Sequence, residues 1–238
     1  MDVLATAELA QLVQRPSLEG RPMPPASAHD AETSTAAAFI PDRPTWTTLK
    51  EAAAICRACE LWKRGTQTVF GEGPRHAPLF FIGEQPGDEE DLAGRPFVGP
   101  AGRLLERALA EAGIARDEVY ITNVVKHFKW EPRGKRRLHS KPNAYEVRAC
   151  RPWLLAEIEL MKPRLLVCLG ATASHAVIGR DFRVSQRRGE VLPSRLGPMA
   201  TATVHPSSIL RAPDDAARRA EMQRFIEDLK GLARFRAT

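Results

Sequence analysis

The sequence predicts an α/β fold, with three α/β/α layers built around a central, mainly parallel sheet of four to five strands. Two observations support this prediction. From about residue 46 onward, short apolar runs typical of buried strands alternate with longer segments of helical periodicity. The apolar runs are continuous rather than alternating, as in strands that are covered on both faces and joined by right-handed helical crossovers.

The elements of the first half follow in chain order. The segment TTLKEAAAICRAC, from Thr47, has a threonine cap and good helix formers, and it ends in a C-x-x-C pair. The apolar run PLFFIG (78–83) predicts a buried strand. Residues 99–113, with proline near the start and glycine at the end, predict a helix, and residues 119–125 predict a second strand.

The second half continues the alternation after one interruption. Residues 126–143 are basic and lack apolar periodicity, so we expect a long and functional loop there. The elements expected after this loop are a helix over 144–161 capped by Asn143, a strand over 164–170, a short helix from Ala171, strands at 189–193 and 199–204, and a final helix from about Asp214 to Ala233.

Composition separates an N-terminal extension from the folded domain. Residues 1–45 are rich in Ala, Pro, Ser and Thr and show no sustained apolar period, which predicts a disordered extension followed by one domain over 46–238. The whole chain has 238 residues, of which 43% are hydrophobic and 27% charged. This is enough apolar material for a packed core, so wholesale disorder is excluded.

The sequence also predicts where the protein works. It has no apolar run of about 18 residues, so no membrane span is expected. Asp2 and Glu8 stand where a signal peptide would have basic residues, and we therefore expect a cytoplasmic protein. Four cysteines are too few for a disulfide scaffold, and a reducing compartment disfavours disulfides, so ligation of a metal or a cluster becomes an open interpretation.

The four cysteines form one C-x-x-C pair, Cys56 and Cys59, and two isolated positions, Cys150 and Cys168. This spacing is compatible with structural zinc and with a [4Fe–4S] cluster held by four thiolates, and it does not choose between them. A cysteine inside an apolar strand, such as Cys168, is by itself more often a small buried hydrophobic residue. For the set of four, ligation is the favoured interpretation.

Polar segments follow four of the predicted strands. In parallel sheets, ligands bind beyond the carboxyl ends of the strands, so we expect these segments to converge on one crevice. They are GEQPGDEED (83–91), NVVKHF (123–128), LGATA (169–173) and HPSS (205–208).

Each of these segments also has a plainer interpretation. The carboxylates of Glu84, Asp88 and Asp91 suit a general base or an electrostatic stabiliser, but equally an acidic turn at the start of a helix. Asn123 could hydrogen-bond the edge of a planar heterocycle or simply form a turn. His205 could donate to a developing anion, although a histidine at the end of a strand is more often structural.

The net charge of +6 is concentrated in one stretch. Residues 126–151 contain nine Lys and Arg but only two Asp and Glu, whereas the rest of the chain has 26 basic and 27 acidic residues. Phe128 and Trp130 are interleaved with the basic side chains. Cations and stackable rings together are what DNA or RNA strands bind, and the alternative is a solvated charged face.

Taken together, these segments resemble the uracil-DNA glycosylases of the iron–sulfur, family-four branch. The resemblance runs from about Trp46 to Arg234. Besides the four cysteines, it rests on TQTVFGEGP (66–74), GEQPGDEEDLAGRPFVGPAGRLL (83–105), TNVVKHFKW (122–130) and HPSSILR (205–211).

At two positions the chain departs from the ordinary family pattern, and there it resembles one subgroup, called UdgX. Ordinary members have GEAPG in the first motif, whereas this chain has GEQPG, and it also carries the insertion GKRRLH (134–139). Members of the subgroup bind uracil-containing DNA and stay covalently attached to it. Their insertion ends in KRRIH, and Leu138 in place of that isoleucine conserves volume.

The resemblance implies base flipping and a set of residue roles. His139 would attack C1′ of the sugar, Glu84 and Gln85 would orient the sugar and the nucleophile, and His205 would stabilise the departing base. The residues implied to bind uracil are Gly83, Asp88, Phe97 and Asn123. Those implied to bind the DNA strand are Lys135, Arg136, Arg137, Ser207, Ser208 and Arg211. The four cysteines would hold a structural [4Fe–4S] cluster.

The implied partner is uracil-containing single-stranded DNA, with double-stranded DNA left open, and we expect a monomer. Three alternatives stay open. The chain could be an ordinary glycosylase that releases uracil and an abasic site, a non-catalytic iron–sulfur module that binds uracil-containing DNA, or a zinc-binding structural domain.

Overall fold

The computed structural model describes residues 35–236, and its centre is a five-stranded sheet with the order β2-β1-β5-β7-β6. The first four strands in this order are parallel, and the short edge strand β6 pairs antiparallel with β7. The strands of this sheet are β1 (Leu79–Gly83), β2 (Val119–Asn123), β5 (Leu165–Leu169), β6 (Val191–Pro193) and β7 (Met199–Thr203). The expected mainly parallel sheet is confirmed.

Helices cover both faces of the sheet. They are α1 (Trp46–Ala54), α2 (Asp88–Ala93), α3 (Pro100–Glu111), α4 (Ala144–Met161), α5 (Ala171–Val177), α6 (Val184–Arg187), α7 (Pro206–Leu210) and α8 (Asp215–Lys230). Short 3-10 helices lie at Ala36–Phe39, Glu60–Lys63, Arg116–Glu118 and Ala233–Phe235.

Alternate residues of each central strand point into two separate cores. In β1, Phe80 and Ile82 pack with residues of α1, α4 and α5, whereas Leu79 and Phe81 pack with α3 and α8. All five residues of β1 are buried, and the same is true of β2 and β5. Continuous apolar runs were therefore the correct signal for strands covered on both sides, and the three-layer prediction is confirmed.

Local capping explains where the main helices begin. Thr45 accepts a hydrogen bond from the backbone N–H of Thr48 at the start of α1. Asn143 accepts from the N–H of Glu146 at the start of α4, while the Glu146 carboxylate accepts from the N–H of Asn143. Asp214 caps α8 in the same way. Each cap satisfies an N–H group that has no partner within its helix.

The basic stretch differs from the expected loop, because it contains an antiparallel hairpin. Its strands are β3 (Trp130–Arg133) and β4 (Arg136–His139), and Gly134 turns the chain with a φ of +59°. The hairpin strands are mostly exposed and charged, so they lack the apolar alternation that marks a strand in a sequence. The glycine in a two-residue connection was the signal that sequence reasoning missed.

The packed region begins earlier than the expected boundary at residue 46. Ala36, in the first 3-10 helix, is fully buried, and this helix packs against α4. Phe39 and Ile40 lie against the same core. Residues 1–34, the larger part of the predicted extension, and residues 237–238 lie outside the described residues.

Within residues 35–236, no helix combines the length and the apolar character needed to cross a membrane.

Candidate active site at the carboxyl end of the sheet

The segments that follow β1, β2, β5 and β7 meet in one crevice, as expected. The N–H groups of Val124 and Val125, after β2, donate to the carbonyls of Gly83 and Glu84, after β1, at 3.0 Å each. Thr172, after β5, donates its hydroxyl to the Glu84 carboxylate. The sheet therefore presents four polar segments at one edge, which is where a ligand binds in this kind of fold.

Gly83, Phe97 and Asn123 form the inner part of the crevice. A Cβ on Gly83 would lie 2.3 Å from Asn123 Oδ1 and 2.7 Å from Phe97 Cζ, so this position accepts only glycine. Asn123 is 2% exposed, and its Oδ1 has no hydrogen-bond partner among the described residues. A buried amide oxygen without a partner is costly, so this site is prepared for a ligand that donates a hydrogen bond to it.

Phe97 has an unusual backbone, with a φ of +55°. A bulky residue in the left-handed region is strained and persists only where its surroundings hold it. The start of α3 provides that support, because a Cβ on Gly102 would lie 1.7 Å from the carbonyl oxygen of Phe97. The Phe97 ring is turned toward His205, with 5.9 Å between the ring centroids.

His205 is held as a neutral ring with one defined tautomer. Its Nδ1 accepts the backbone N–H of Ser207 at 3.2 Å and lies 2.8 Å from the Ser207 hydroxyl. Burial, followed by the nearby charges of Arg211 and His139, lowers the pKa of His205 to about 4. Because Nδ1 acts as an acceptor, the proton of the neutral ring lies on Nε2, which is then a hydrogen-bond donor.

The two serines after His205 are engaged within the protein. Ser207 contacts the His205 ring, and the Ser208 hydroxyl donates to the His205 carbonyl at 2.7 Å. A phosphate contact through either hydroxyl would have to replace these bonds. Arg211, at the end of α7, is exposed.

Gln85 connects the first motif to the hairpin. Its Nε2 donates to the carbonyls of Lys129 and Ser140, at 3.1 Å each, and its Oε1 accepts the N–H of Lys129 at 3.2 Å. Lys129 and Ser140 flank the hairpin on either side. Gln85 therefore holds the backbone on both sides of the hairpin that contains the insertion (134–139).

His139 ends the hairpin at the mouth of the crevice. Its side chain is 50% exposed, and its Nε2 lies 3.4 Å from Glu84 Oε1. The Phe128 ring is 6.3 Å away, centroid to centroid. A half-exposed imidazole beside a carboxylate can meet a ligand that enters the crevice, and it can pass a ring proton to that carboxylate.

Arg137 and Asp88 are engaged with each other, which changes the interpretation of both. Arg137 was expected to bind DNA and Asp88 to bind uracil, but Arg137 Nε lies 2.5 Å from Asp88 Oδ1. The same guanidinium lies 2.6 Å from Asp91 Oδ2. Arg137 therefore ties the hairpin to α2. Lys135 and Arg136 are exposed near the hairpin turn.

Other cations of the basic stretch also point inward. Lys126 is 1% exposed and pairs with Glu157, and Lys129 lies 3.0 Å from the Glu146 carboxylate. The cations of this stretch therefore do not form one continuous exposed patch.

Three of the four cysteines line one cavity. Cys56, Cys59 and Cys150 surround it together with Trp153, and all four cysteines are buried. Cys168 does not line this cavity, but it belongs to the same core on the same face of the sheet. Burial raises the pKa of the Cys59 thiol to about 11 and that of Cys150 and Cys168 further.

The lining of this cavity has the chemistry of a group held by thiolates, because three buried cysteines and Trp153 line it. Within residues 35–236, no group of three or more His, Cys, Asp or Glu side chains is placed to hold a metal ion. Among the described residues, the buried indole N–H of Trp153 also has no hydrogen-bond partner, as expected of a donor to a cluster sulfur.

Comparison with known proteins places the chain in a family. The family model described as the uracil DNA glycosylase superfamily matches residues 70–230. The chain is 41% identical to a type-4 uracil-DNA glycosylase of Thermotoga maritima over 188 residues, which are 79% of this chain and 92% of that protein. It is 38% identical to a type-4 uracil-DNA glycosylase of Pyrobaculum aerophilum over 185 residues, or 75% and 89% of the two chains. A type-5 enzyme of the same organism is 31% identical over 170 residues, or 64% and 71%. The chain therefore belongs to the uracil DNA glycosylase superfamily.

Proposed function

We propose that this protein flips uracil out of DNA, cleaves its N-glycosidic bond and then bonds covalently to the sugar through His139. Glycosylase activity is supported by the type-4 relatives, whose names state it. The covalent step rests on one observation: the hairpin, held at its base by Gln85, brings the His139 imidazole to 3.4 Å from Glu84 at the mouth of the crevice.

Uracil recognition uses the inner part of the crevice. A flipped base enters between Phe97, which stacks on it, and Asn123, whose amide has both a donor and an acceptor. The unpartnered Oδ1 of Asn123 accepts the uracil N3–H, and its N–H₂ group donates to O4. Cytosine carries the opposite groups on these atoms and is rejected. Gly83 allows Asn123 and Phe97 to approach its backbone more closely than any side chain would permit.

Bond cleavage moves an electron pair from the C1′–N1 bond onto the departing base. The His205 Nε2–H donates a hydrogen bond to the developing uracil anion, and because the ring is already neutral it need not lose a proton first. The sugar becomes an electrophile at C1′. The lone pair of the His139 ring forms the new C1′–N bond, and the alkylated ring can release its N–H proton to Glu84.

The DNA strand contacts the exposed cations around the crevice, Lys135, Arg136 and Arg211. Cys56, Cys59, Cys150 and Cys168 would hold the [4Fe–4S] cluster, which would supply structural bracing between α4 and the segment after α1. We expect the protein to act as a cytoplasmic monomer on single-stranded DNA, and double-stranded DNA is a second substrate to test.

The test is a denaturing gel with a labelled, uracil-containing oligonucleotide. We expect a protein–DNA species that survives SDS and heat with the natural sequence and is lost in His139→Ala. Leu138→Ala, on the opposite face of the hairpin, is the matched control and should still form the species. Gln85→Ala restores the ordinary motif and frees the base of the hairpin, so it should form the species more slowly while still releasing uracil.

The other outcomes distinguish the alternatives. Free uracil and abasic DNA without the covalent species would identify an ordinary type-4 activity. Uracil-dependent binding without any base release would identify a non-catalytic module. Zinc in place of iron and sulfide in the purified protein would overturn the cluster.

A further inference from the structure

The buried pair of Lys126 and Glu157 has no part in the chemistry described above, yet it lies directly behind the base-reading residue. The two side chains are 1% and 0% exposed, and their charged groups are 2.5 Å apart. Lys126 also donates to the Thr122 hydroxyl at 2.6 Å and to the backbone carbonyl of Asn123 at 2.8 Å. All three ammonium protons are thus used, and two of them bind the end of β2.

Glu157 is directed at the same strand. Its carboxylate accepts hydrogen bonds from the Tyr120 hydroxyl at 2.9 Å, from the Thr122 hydroxyl at 3.0 Å and from the Gly71 N–H at 3.1 Å. Tyr120 and Thr122 belong to β2, whose last residue is Asn123. The pair therefore joins one turn of α4 to the strand that carries the amide.

The Asn123 amide is buried beside Gly83, but its Oδ1 has no hydrogen-bond partner in the described part of the chain. The direction of the amide therefore depends on how the backbone of Asn123 is held. A buried ion pair contributes little net stability compared with apolar side chains of similar volume, since both charges must be desolvated. Compared with an apolar contact, a buried ion pair fixes the orientation of the groups that it joins, because its donors and acceptors must face each other.

We propose that Lys126 and Glu157 are positioning residues for Asn123, and that they set the discrimination between uracil and other bases. This inference rests on the proposed function. It predicts that removing the charge pair without leaving an unpaired buried charge weakens base discrimination, while leaving the affinity for the DNA strand itself unchanged.

The variant for the test is Lys126→Met combined with Glu157→Gln, since glutamine retains an acceptor for Tyr120 and Gly71. Binding is measured in the His139→Ala background, so that it stays reversible, with matched oligonucleotides that carry uracil or cytosine on a 2′-fluorinated sugar, because the fluorine disfavours the electrophilic sugar and prevents cleavage. Cytosine is the comparison because it carries the opposite groups at the edge that Asn123 reads. We expect the Kd for cytosine divided by the Kd for uracil to fall roughly 10- to 100-fold, because the Kd for uracil rises. The Kd for the cytosine oligonucleotide should not change.

Two controls separate positioning from a general loss of structure. Ile226→Val removes a methyl group from the core on the other face of the sheet. It should leave the ratio of the two Kd values unchanged, even if its melting temperature falls as far as that of the double variant. Because the Lys126 N–H donates to Cys150 Sγ at 3.2 Å, iron and sulfide contents are measured for every variant and should stay constant. If the double variant does not fold, Tyr120→Phe, which removes one hydrogen bond between Glu157 and β2 without changing a charge, should lower the ratio by a smaller factor.

Failure of the positioning role and failure of the proposed function give different results. A folded variant whose Kd ratio equals that of the parent overturns the positioning role alone. A parent protein that neither prefers uracil nor releases it overturns the proposed function and the positioning role with it.

Discussion

The Arg137 guanidinium lies 2.6 Å from the buried carboxylate of Asp91 and 2.5 Å from the half-exposed carboxylate of Asp88. Asp91 is held on its other side by the N–H and the hydroxyl of Thr66. The hairpin that ends in His139 is thereby fastened to α2, which begins in the first motif. The position of the proposed nucleophile thus depends on a contact between two segments that are far apart in sequence.

Arg137→Lys tests this fastening. Lysine keeps the positive charge but loses the planar fork that reaches both carboxylates, so His139 becomes less well placed. We expect covalent attachment to slow roughly tenfold, with unchanged affinity for DNA. Rates are read from gel time courses. Arg136→Lys, on the exposed side of the hairpin, is the control, and equal rates for the two variants would contradict a fastening role.

Asn123→Asp tests base reading. The change replaces the N–H₂ donor with an acceptor, which suits the amino group of cytosine and opposes O4 of uracil. We expect uracil release to fall by at least roughly 100-fold and cytosine release to become detectable by chromatography of the freed bases. Asn143→Asp, at a helix cap that tolerates either residue, should behave like the natural sequence. Undiminished uracil release in Asn123→Asp would assign base reading to another residue.

His205 makes stability depend on pH. Its pKa is about 4 in the folded protein and about 6.5 in an unfolded chain, so between these values only the unfolded chain takes up the proton. The free energy of unfolding therefore falls as the pH is lowered through this window. Between about pH 7 and pH 5 the loss should reach up to about 2 kcal/mol. The free energy of unfolding is measured with urea at both pH values. Between pH 7 and pH 5 it should fall by up to about 2 kcal/mol less in His205→Asn than in the natural sequence. An identical pH dependence in the variant would mean that His205 titrates normally.

Cys168→Ser tests whether the fourth cysteine is a ligand. It lies on the same face of the sheet as the other three but outside the cavity that they line. If it binds iron, the variant should lose most of its iron and sulfide and melt at a lower temperature. Ala202→Ser, at the paired position of β7, buries a similar hydroxyl without removing a thiol and should keep its iron. Full iron content in Cys168→Ser would reduce the protein ligands to three.

The sequence was sufficient to predict the three layers of the fold, because a strand that is buried on both faces has a continuous apolar run. Residues 78–83 and 164–170 were predicted within a residue or two of β1 and β5 for this reason. The helix starts were equally local, since Thr45, Asn143 and Asp214 cap groups only three residues away. The convergence of four polar segments followed from the direction of parallel strands.

The hairpin and its contacts could not be derived in this way. Strands β3 and β4 are stabilised by Gln85, Asp88 and Asp91, which lie 40 or more residues away, so their own residues show no strand pattern. Cations of the basic stretch likewise looked alike in the sequence. Lys126 is buried against Glu157, Arg137 is paired with two aspartates, and Arg136 is exposed.

The sequence by itself determined the α/β class, the order of the elements and the crevice at the carboxyl ends of the strands, because these depend on local periodicity and strand direction. Only the tertiary structure decided which charges are paired, which tautomer His205 adopts and where His139 lies. The physical reason is that burial and ion pairing depend on residues distant in the chain, and no local pattern records them.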